Sequence, residues 1–434
     1  MTAQQQVQDL LSFIDDSPSA FHAVKSIEQR LAHFNFEQID EKQKWSLKPG
    51  GRYYVIRDDS SIIFFVTGQK ALAETGFRIL GAHTDSPGLK IKSNPVISNS
   101  GLIRLGVEVY GGPILATFSD RDLSLAGRVS YKTLTGTVAS QVVRFDHALL
   151  RLPNLAIHMN RKVNEEGLKL DKQNELPLII SKAIQQQVNK KYLHKQLGQA
   201  MGINAEQVLS WELNVYDTQK GCFWGDKQQF YANSQLDNLA SCHAGLLALL
   251  DETTLQTDNT LVCAFFDHEE IGSESTKGAN GSFLPDSLQR IALAMDVDRE
   301  SYQCALARSF MISADMAHAY QPSFPSAFEP EHKVMVNKGP VIKVNANHRY
   351  TSESISIARF MHWCEQVNVP YQTYTHRTDM PCGSTIGPMT SAKLGIRTVD
   401  VGNPMWAMHS IRESAGVEDH GYMVSVLNCF FSTE

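Results

Sequence analysis

Histidines and carboxylates stand directly after apolar, strand-like runs at several places in this 434-residue chain. These residues are His83, Asp85, Glu269, Glu270, Asp315 and His409, and Asp237 stands just before an apolar, helix-like run. Imidazole and carboxylate are the ligands that zinc-class divalent cations take in hydrolytic sites. Because one carboxylate can bridge two cations about 3.5–4 Å apart, such a set could hold a pair of metals that activates water.

Each of these residues also has an ordinary structural interpretation. A single histidine at a strand end, such as His83, is commonly a satisfied core or surface residue, and Asp237 before a helix is commonly an N-cap. The Glu269-Glu270 pair is harder to explain in this way, because adjacent carboxylates beside a buried strand are costly unless a cation or hydrogen bonds compensate them. The joint placement therefore favours a metal site, in which Asp85 could fix the imidazole ring of His83.

The elements that must position these residues alternate between strands and helices. Strand-like runs lie at 77–82, 261–266, 291–295, 310–314 and 398–401, and helix-like stretches lie at 238–255, 351–367 and 421–431. This alternation predicts an α/β fold with a doubly wound, mostly parallel sheet. Ligands of such sheets bind beyond the carboxyl ends of the strands, which is where the histidines and carboxylates are placed.

The segment 92–230 differs in pattern from the rest of the chain. Glycines at 101, 106, 111, 112, 127 and 136 separate short β-like pieces, and a charged helix is predicted near 182–195. We predict that 92–230 forms an inserted β-rich domain. The segments 1–91 and 231–434 would then form one catalytic domain.

Composition and charge narrow the function classes. The net charge of −6 argues against a general nucleic-acid-binding protein. The apolar runs are too short to cross a bilayer, and residues 1–16 lack the basic region and apolar core of a secretory signal, so no membrane partner is expected. Seven scattered cysteines without a C-x-x-C pair are typical of a reduced, cytoplasmic protein.

Several motifs, read in order along almost the whole chain, carry a family resemblance. They are His-Thr-Asp-Ser-Pro at 83–87, Gln-Leu-Asp-Asn at 235–238, Asp-His-Glu-Glu-Ile-Gly-Ser at 267–273, Ser-Ala-Asp-Met-Ala-His-Ala at 313–319 and Met-His-Ser-Ile-Arg-Glu at 408–413. The chain resembles the M18 family of metalloaminopeptidases, the aspartyl aminopeptidases. One loop departs from the family, because Gln321-Pro322-Ser323 stands where members usually carry His-Pro-Asn, and this departure bears on the rim of the substrate pocket.

The resemblance implies a centre of two divalent metal ions, zinc in the first place, with cobalt or manganese as alternatives. The implied ligands are Asp237, shared by both ions, His83 and Asp315 at one ion, and Glu270 and His409 at the other. Glu269 would be the general base, and Asp85 would hold the second ring nitrogen of His83. Lys343 and Tyr350 match positions near the pocket for the first side chain of the substrate.

The resemblance also implies an assembly. The inserted domain would mediate dimerisation within a tetrahedral homo-oligomer of twelve subunits. His158 would reach the active site of a neighbouring subunit and stabilise the oxyanion, and the rival interpretation makes His158 a third imidazole ligand beside His83 and His409.

The expected function is therefore hydrolysis of the amino-terminal residue from peptides that carry a free amino terminus, with a preference for Asp or Glu. A related aminopeptidase or amidase of broader specificity is the first alternative. A metal-bearing scaffold without catalysis is the second.

Overall fold

The computed structural model describes residues 1–183 and 190–433, which form twenty strands and eleven helices. The strands are β1 Glu37–Gln38, β2 Arg52–Arg57, β3 Ser61–Val66, β4 Phe77–His83, β5 Gly88–Asn99, β6 Leu102–Tyr110, β7 Leu123–Lys132, β8 Val138–Arg144, β9 Leu178–Lys182, β10 Val208–Asp217, β11 Cys222–Trp224, β12 Phe230–Asn233, β13 Thr260–Phe266, β14 Phe310–Ala314, β15 Ala317–His318, β16 Val341–Val344, β17 Gln372–Thr375, β18 Arg397–Gly402, β19 Pro404–Trp406 and β20 Glu413–Gly416. The helices are α1 Ala3–Asp15, α2 Ala20–Ala32, α3 Leu72–Thr75, α4 Val163–Glu166, α5 Tyr192–Met201, α6 Leu236–Leu249, α7 Phe283–Ala294, α8 Arg299–Arg308, α9 Ser354–Gln366, α10 Ile386–Leu394 and α11 Val417–Ser432.

A nine-stranded sheet in the described part of the chain organises the molecule, in the order β1-β2-β3-β13-β4-β14-β18-β16-β17. Its central strands β13, β4, β14 and β18 are parallel to one another, whereas β3 and β16 join them antiparallel. Successive side chains of a strand point to opposite faces, so Leu261 and Cys263 enter one core while Val262 and Ala264 enter the other. Helices α1, α2, α6, α9 and α11 cover one face and α7, α8 and α10 cover the other, which confirms the doubly wound α/β prediction.

The carboxyl ends of the parallel strands bring the predicted site together. Strands β4, β13 and β14 lie side by side, and His83, Glu269 and Asp315 stand at or just after their ends. Because parallel strands end at the same edge of a sheet, residues that are far apart in the sequence meet there.

The segment 291–295 corrects one expectation. It was predicted as a strand, but residues 291–294 form the last turn of α7. Its apolar residues continue a helical stripe that buries Leu284, Leu288 and Ile291 against the sheet, and a short apolar run cannot distinguish a strand from a buried helix end.

A second, six-stranded sheet is formed by β8-β7-β10-β5-β6-β9, all between Gly88 and Asp217. It packs on its own core together with α5, and it is the β-rich insertion expected from the glycine pattern. Strands β11 and β12 instead join β20, β19 and β15 in a third sheet. The domain borders at 92 and 230 therefore stay a prediction. Of the predicted charged helix, 192–195 lies in α5, Lys182 ends β9, and 184–189 lies outside the described residues.

None of the helices in residues 1–183 and 190–433 combines the length and the apolar character that crossing a bilayer requires.

Candidate metal centre

Asp237, at the start of α6, lies between two histidines that come from different elements. Its Oδ1 is 3.3 Å from Nε2 of His83, the last residue of β4. Its Oδ2 is 3.6 Å from Nε2 of His409, in the loop between β19 and β20. The two oxygens of one carboxylate thus face separate imidazoles, which is the arrangement of a carboxylate shared by two cations.

A further carboxylate stands beside each histidine. Asp315 places Oδ1 3.5 Å from Nε2 of His83, and Glu270 places Oε2 3.4 Å from Nε2 of His409. The structure therefore brings all five predicted ligands into one cluster with two halves, joined by Asp237. Glu269 lies next to the first half, with Oε2 4.0 Å from Nε2 of His83.

Two buried oxygens in this cluster lack a hydrogen-bond partner. They are Oδ1 of Asp237, which makes only the long contact to His83, and Oε1 of Glu270. One ligand atom each from His83, Asp237 and Glu270 lies within 4.8 Å of the other two. A buried carboxylate oxygen without a partner is costly, and a divalent cation would remove that cost, so the donors fit a zinc-class ion.

The second ring nitrogen of each histidine is held by a main-chain carbonyl. Nδ1 of His83 lies 3.0 Å from the main-chain carbonyl oxygen of Asp85. The side-chain Oδ1 of Asp85 is farther from Nδ1, at 3.5 Å. Nδ1 of His409 lies 3.1 Å from the carbonyl oxygen of Gly112. Each carbonyl accepts a hydrogen bond from an Nδ1–H tautomer and leaves Nε2 as the free ligand atom.

The carboxylate of Asp85 has a wider role than orienting His83. It accepts hydrogen bonds from the hydroxyl of Tyr110 at 2.7 Å and from the main-chain N–H groups of Glu269 and Glu270 at 3.1 and 3.2 Å. Asp85 thereby fixes the backbone that carries the Glu-Glu pair. Tyr110, the last residue of β6, gave no signal in the sequence because its partner Asp85 lies in the loop between β4 and β5, outside the strand that carries Tyr110.

Glu413 also supports the cluster. Its Oε2 accepts from the N–H of Asp237 at 3.0 Å, and its Oε1 accepts from the N–H of His409 at 2.7 Å. The sequence offered one signal for this residue, which is that Glu413 ends the motif containing His409.

The ionisation of the cluster shows an excess of negative charge. Burial, together with the charges of Asp315, Asp85 and Asp237, raises the pKa of Glu269 to about 8 although His83 acts against it. Burial and the charge of Asp237 raise the pKa of Glu270 well above its usual range. A cation would relieve the repulsion that these shifts express.

The two histidines shift in the opposite direction. Burial alone would lower the pKa of His83, but the nearby carboxylates of Asp237, Asp315 and Asp85 raise it. Burial would also lower the pKa of His409, but the carboxylate of Asp237 outweighs burial and raises this pKa to about 9.

A cavity of about 320 Å³ opens onto the cluster. Lys343 on β16 and Tyr350, both predicted to line a substrate pocket, line this cavity and are almost fully buried. Nζ of Lys343 lies 3.5 Å from Oδ2 of Asp315 and 5.5 Å from the ring centroid of Tyr350. The cavity is thus large enough for a side chain and holds a buried ammonium group.

His158 lies away from this cavity. It is exposed in a turn of the inserted segment and is not one of the residues that line the cavity or surround Asp237. Its neighbours Leu155, Ile157 and Met159 are also exposed. Gln321-Pro322-Ser323, the loop that departs from the family pattern, does not line the cavity either.

Comparison with known proteins adds independent observations. The family model described as aminopeptidase I zinc metalloprotease (M18) matches residues 13–431. The probable M18 family aminopeptidase 2 of Stutzerimonas stutzeri (strain A1501) is 46% identical over 428 residues, 98% of each chain. The probable M18 family aminopeptidase 2 of Azotobacter vinelandii (strain DJ / ATCC BAA-1303) is 45% identical over 428 residues, again 98% of each chain.

Solved structures resemble the fold over its full length. A chain from a cryo-EM structure of the Ape4 and Nbr1 complex has a TM-score of 0.95 at 37% identity, covering 99% of this chain and 86% of that one. The mApe1 dodecamer of S. cerevisiae has a TM-score of 0.84 at 26% identity, covering 98% and 95%.

Proposed function

The chain belongs to the M18 family of zinc metalloaminopeptidases, and on that premise we propose that two divalent cations around Asp237 support its removal of amino-terminal residues from peptides. The observation that carries this proposal is the position of Asp237, whose two oxygens face His83 and His409 separately while Oδ1 lacks a hydrogen-bond partner. A single-metal site would need only one of those oxygens.

The proposed ligands divide into two sets. His83 and Asp315 would hold one cation, Glu270 and His409 the other, and Asp237 both. Zinc is the first choice, with cobalt or manganese as alternatives, because imidazole and carboxylate suit all three. Bound cations of this class lower the pKa of water and polarise a carbonyl group.

Glu269 would act as the general base. Its partly buried carboxylate lies beside the cluster, and its main-chain N–H is held by Asp85, so the side chain has a fixed position beside the reacting groups. It would accept a proton from the attacking water and donate that proton to the nitrogen of the leaving amine as the C–N bond breaks. Such proton transfer is typically worth about 10²–10⁴-fold in rate.

Lys343 would select an acidic first residue. Its ammonium group is buried in the cavity wall, where a charge-assisted contact to a carboxylate is stronger than in water. A substrate carboxylate would share Lys343 with Asp315, and Tyr350 would flank it. An aminopeptidase or amidase of broader specificity is the alternative if the ammonium group of Lys343 pairs with Asp315 alone and does not contact the substrate.

The proposed working form is a homo-oligomer, a tetrahedral dodecamer paired through the inserted sheet. One solved relative is a dodecamer, and the exposed apolar residues around His158 provide a surface that a second copy could cover. His158 would then enter the neighbouring site and donate to the developing oxyanion, a contact worth about 10²–10³ in turnover. The rival role of His158 as a third imidazole ligand would also require a second copy, since His158 does not line the cavity at Asp237 in its own chain.

The seven cysteines support a cytoplasmic location, because all are free in the part of the chain that the structure describes. A metal-bearing scaffold without catalysis is disfavoured because Glu269, which no metal needs as a ligand, is retained beside the five proposed ligands.

The test uses the whole protein, stripped with a chelator and reloaded with Zn²⁺, on p-nitroanilides of Asp, Glu and Leu and on acetylated Asp p-nitroanilide. We expect hydrolysis only after reloading, only with a free amine, and fastest with Asp or Glu. Hydrolysis by the stripped protein, or of the acetylated compound at the same rate, would contradict the proposal, and equal rates with Leu would favour the broader alternative.

A further inference from the structure

Glu413 connects the two backbone segments that meet at the centre of the metal cluster. It begins β20 and is almost fully buried. Its two oxygens accept one main-chain N–H each, from Asp237 and from His409, at 3.0 and 2.7 Å. Asp237 is 176 residues away in the sequence, so this single side chain fixes the relative position of two distant segments.

The residue type follows from these two contacts. Two N–H donors point at the side chain, and only a carboxylate offers an acceptor oxygen to each of them. A glutamine of the same shape would accept one bond and turn its NH₂ group towards the other N–H. Glu413 is therefore needed as a carboxylate, in a buried position where a carboxylate is otherwise costly.

The backbone that Glu413 holds is itself in an uncommon conformation. His409 has a backbone φ of +67°, in the left-handed region that residues other than glycine rarely adopt. Such conformations persist only where the surrounding structure determines them, and the N–H of His409 is the group that Glu413 binds.

Resting on the proposed ligand roles of Asp237 and His409, we propose that Glu413 is a positioning residue that sets the metal affinity of the centre. It touches no substrate and no metal in this account. It sets the separation between Oδ2 of Asp237 and Nε2 of His409, now 3.6 Å, by holding the main chain of both residues. Loss of one of its two bonds would let either ligand move.

Asp419 provides a matched control within the same chain. This aspartate is also fully buried and also accepts two main-chain N–H groups, from Asn337 at 2.5 Å and from Gly339 at 2.8 Å. Neither of those residues is a proposed ligand. A general loss of stability from removing a buried carboxylate should therefore appear equally in Asp419→Asn and Glu413→Gln.

The experiment titrates the metal-stripped protein with Co²⁺ and follows its absorption, with thermal unfolding of each stripped variant alongside. We expect Glu413→Gln to need about 10–100-fold more Co²⁺ for half-saturation, whereas Asp419→Asn keeps the wild-type value. Unchanged affinity in Glu413→Gln, or an equal loss in Asp419→Asn, would overturn the proposal. If Glu413→Gln does not fold, Glu413→Asp keeps the charge but shortens the side chain, and wild-type affinity there would equally overturn it.

Asp237→Asn separates this inference from the function on which it rests. If Asp237→Asn loses Co²⁺ binding while Glu413→Gln keeps the wild-type affinity, only the positioning role of Glu413 is rejected. Full Co²⁺ binding in Asp237→Asn rejects the proposed metal centre itself.

Discussion

Asp237 and Asp85 are both buried aspartates of the same site, yet their oxygens are used differently. Asp85 accepts hydrogen bonds from Tyr110, Glu269 and Glu270. Asp237 keeps Oδ1 without a hydrogen-bond partner. A buried carboxylate whose oxygens all have hydrogen-bond partners is suited to support the site, whereas one with an oxygen that lacks a partner is suited to bind a cation.

The buried ammonium group of Lys343 gives a prediction about substrate specificity. Lys343→Met removes the buried ammonium from the cavity wall, so the kcat/KM ratio of Asp or Glu substrates over Leu should fall about tenfold or more. Lys333→Met is the control, because Nζ of Lys333 lies over the ring of Tyr320 in a similar contact outside the cavity. A ratio unchanged in Lys343→Met would show that acidic selection has another source.

The residue types of the site could be predicted from the sequence, but their partners could not. His83, Asp237 and Glu270 were identified because each stands at a strand or helix end and matches a family motif. The contacts of Tyr110 and Glu413 join strand residues to a loop and to a helix start elsewhere in the chain, and no local pattern encodes such pairings. The nearest partner of Nδ1 of His83 is likewise a main-chain carbonyl, which side-chain patterns do not reveal.

At the scale of elements, three helices meet around a buried chain of polar groups. Nδ1 of His243 on α6 lies 2.9 Å from Nε2 of His420 on α11, and Nε2 of His243 lies 2.9 Å from Oδ2 of Asp9 on α1. Burial lowers the pKa of His420 far below its usual range, and burial also lowers that of His243 although Asp9 opposes the change. Both imidazoles are therefore neutral in the folded protein near pH 7.

This contact predicts a pH dependence of stability with a definite sign. Below an unfolded-state pKa of about 6.5 the unfolded chain binds protons that the buried imidazoles do not, so stability falls as the pH falls, by up to about 1.4 kcal/mol per pH unit for each histidine. His420→Phe removes one of these groups and should make the fall of Tm between pH 7 and 5 shallower in the metal-stripped protein.

The exposed His147, changed to Gln, serves as the control and should leave the slope of Tm against pH unchanged. An identical slope in His420→Phe and wild type would show that this histidine does not couple the helices to pH.

The types of the long elements were largely predictable from periodicity, with one exception at residues 291–294. The long helices α6, α9 and α11 were anticipated, and so were the buried strands β4 and β13. Residues 291–294 proved helical, because their burial against the sheet depends on a helix that begins at Phe283, earlier in the chain.

At the scale of the whole molecule, the inserted sheet is part of the site's construction. Tyr110 ends one of its strands and donates to Asp85, and the carbonyl of Gly112 holds His409. Lys277, buried beside Asp267 at 3.0 Å, lies 3.7 Å from Glu212 of the inserted sheet. The glycine pattern predicted the insertion, but the third sheet that joins β11 and β12 to β20 was not foreseen, since its partners lie far apart in sequence.

The proposed assembly predicts complementation between two impaired variants. His158→Ala should slow turnover about 10²–10³-fold while keeping its metal, and Glu269→Gln should lose nearly all turnover. If His158 acts in a neighbouring subunit, co-expressed mixed oligomers contain sites with both an intact Glu269 and an intact His158 from the partner. Their activity should exceed the sum of the two separate variants, and activity equal to that sum would contradict a shared site.

The most direct test of the central claim is the zinc content of the purified oligomer, measured together with turnover, for wild type, Glu269→Gln and Asp237→Asn. We predict about two zinc ions per chain in wild type and in the nearly inactive Glu269→Gln, and fewer than about one in Asp237→Asn, because both ions depend on the shared carboxylate. Two zinc ions per chain in Asp237→Asn would contradict the account.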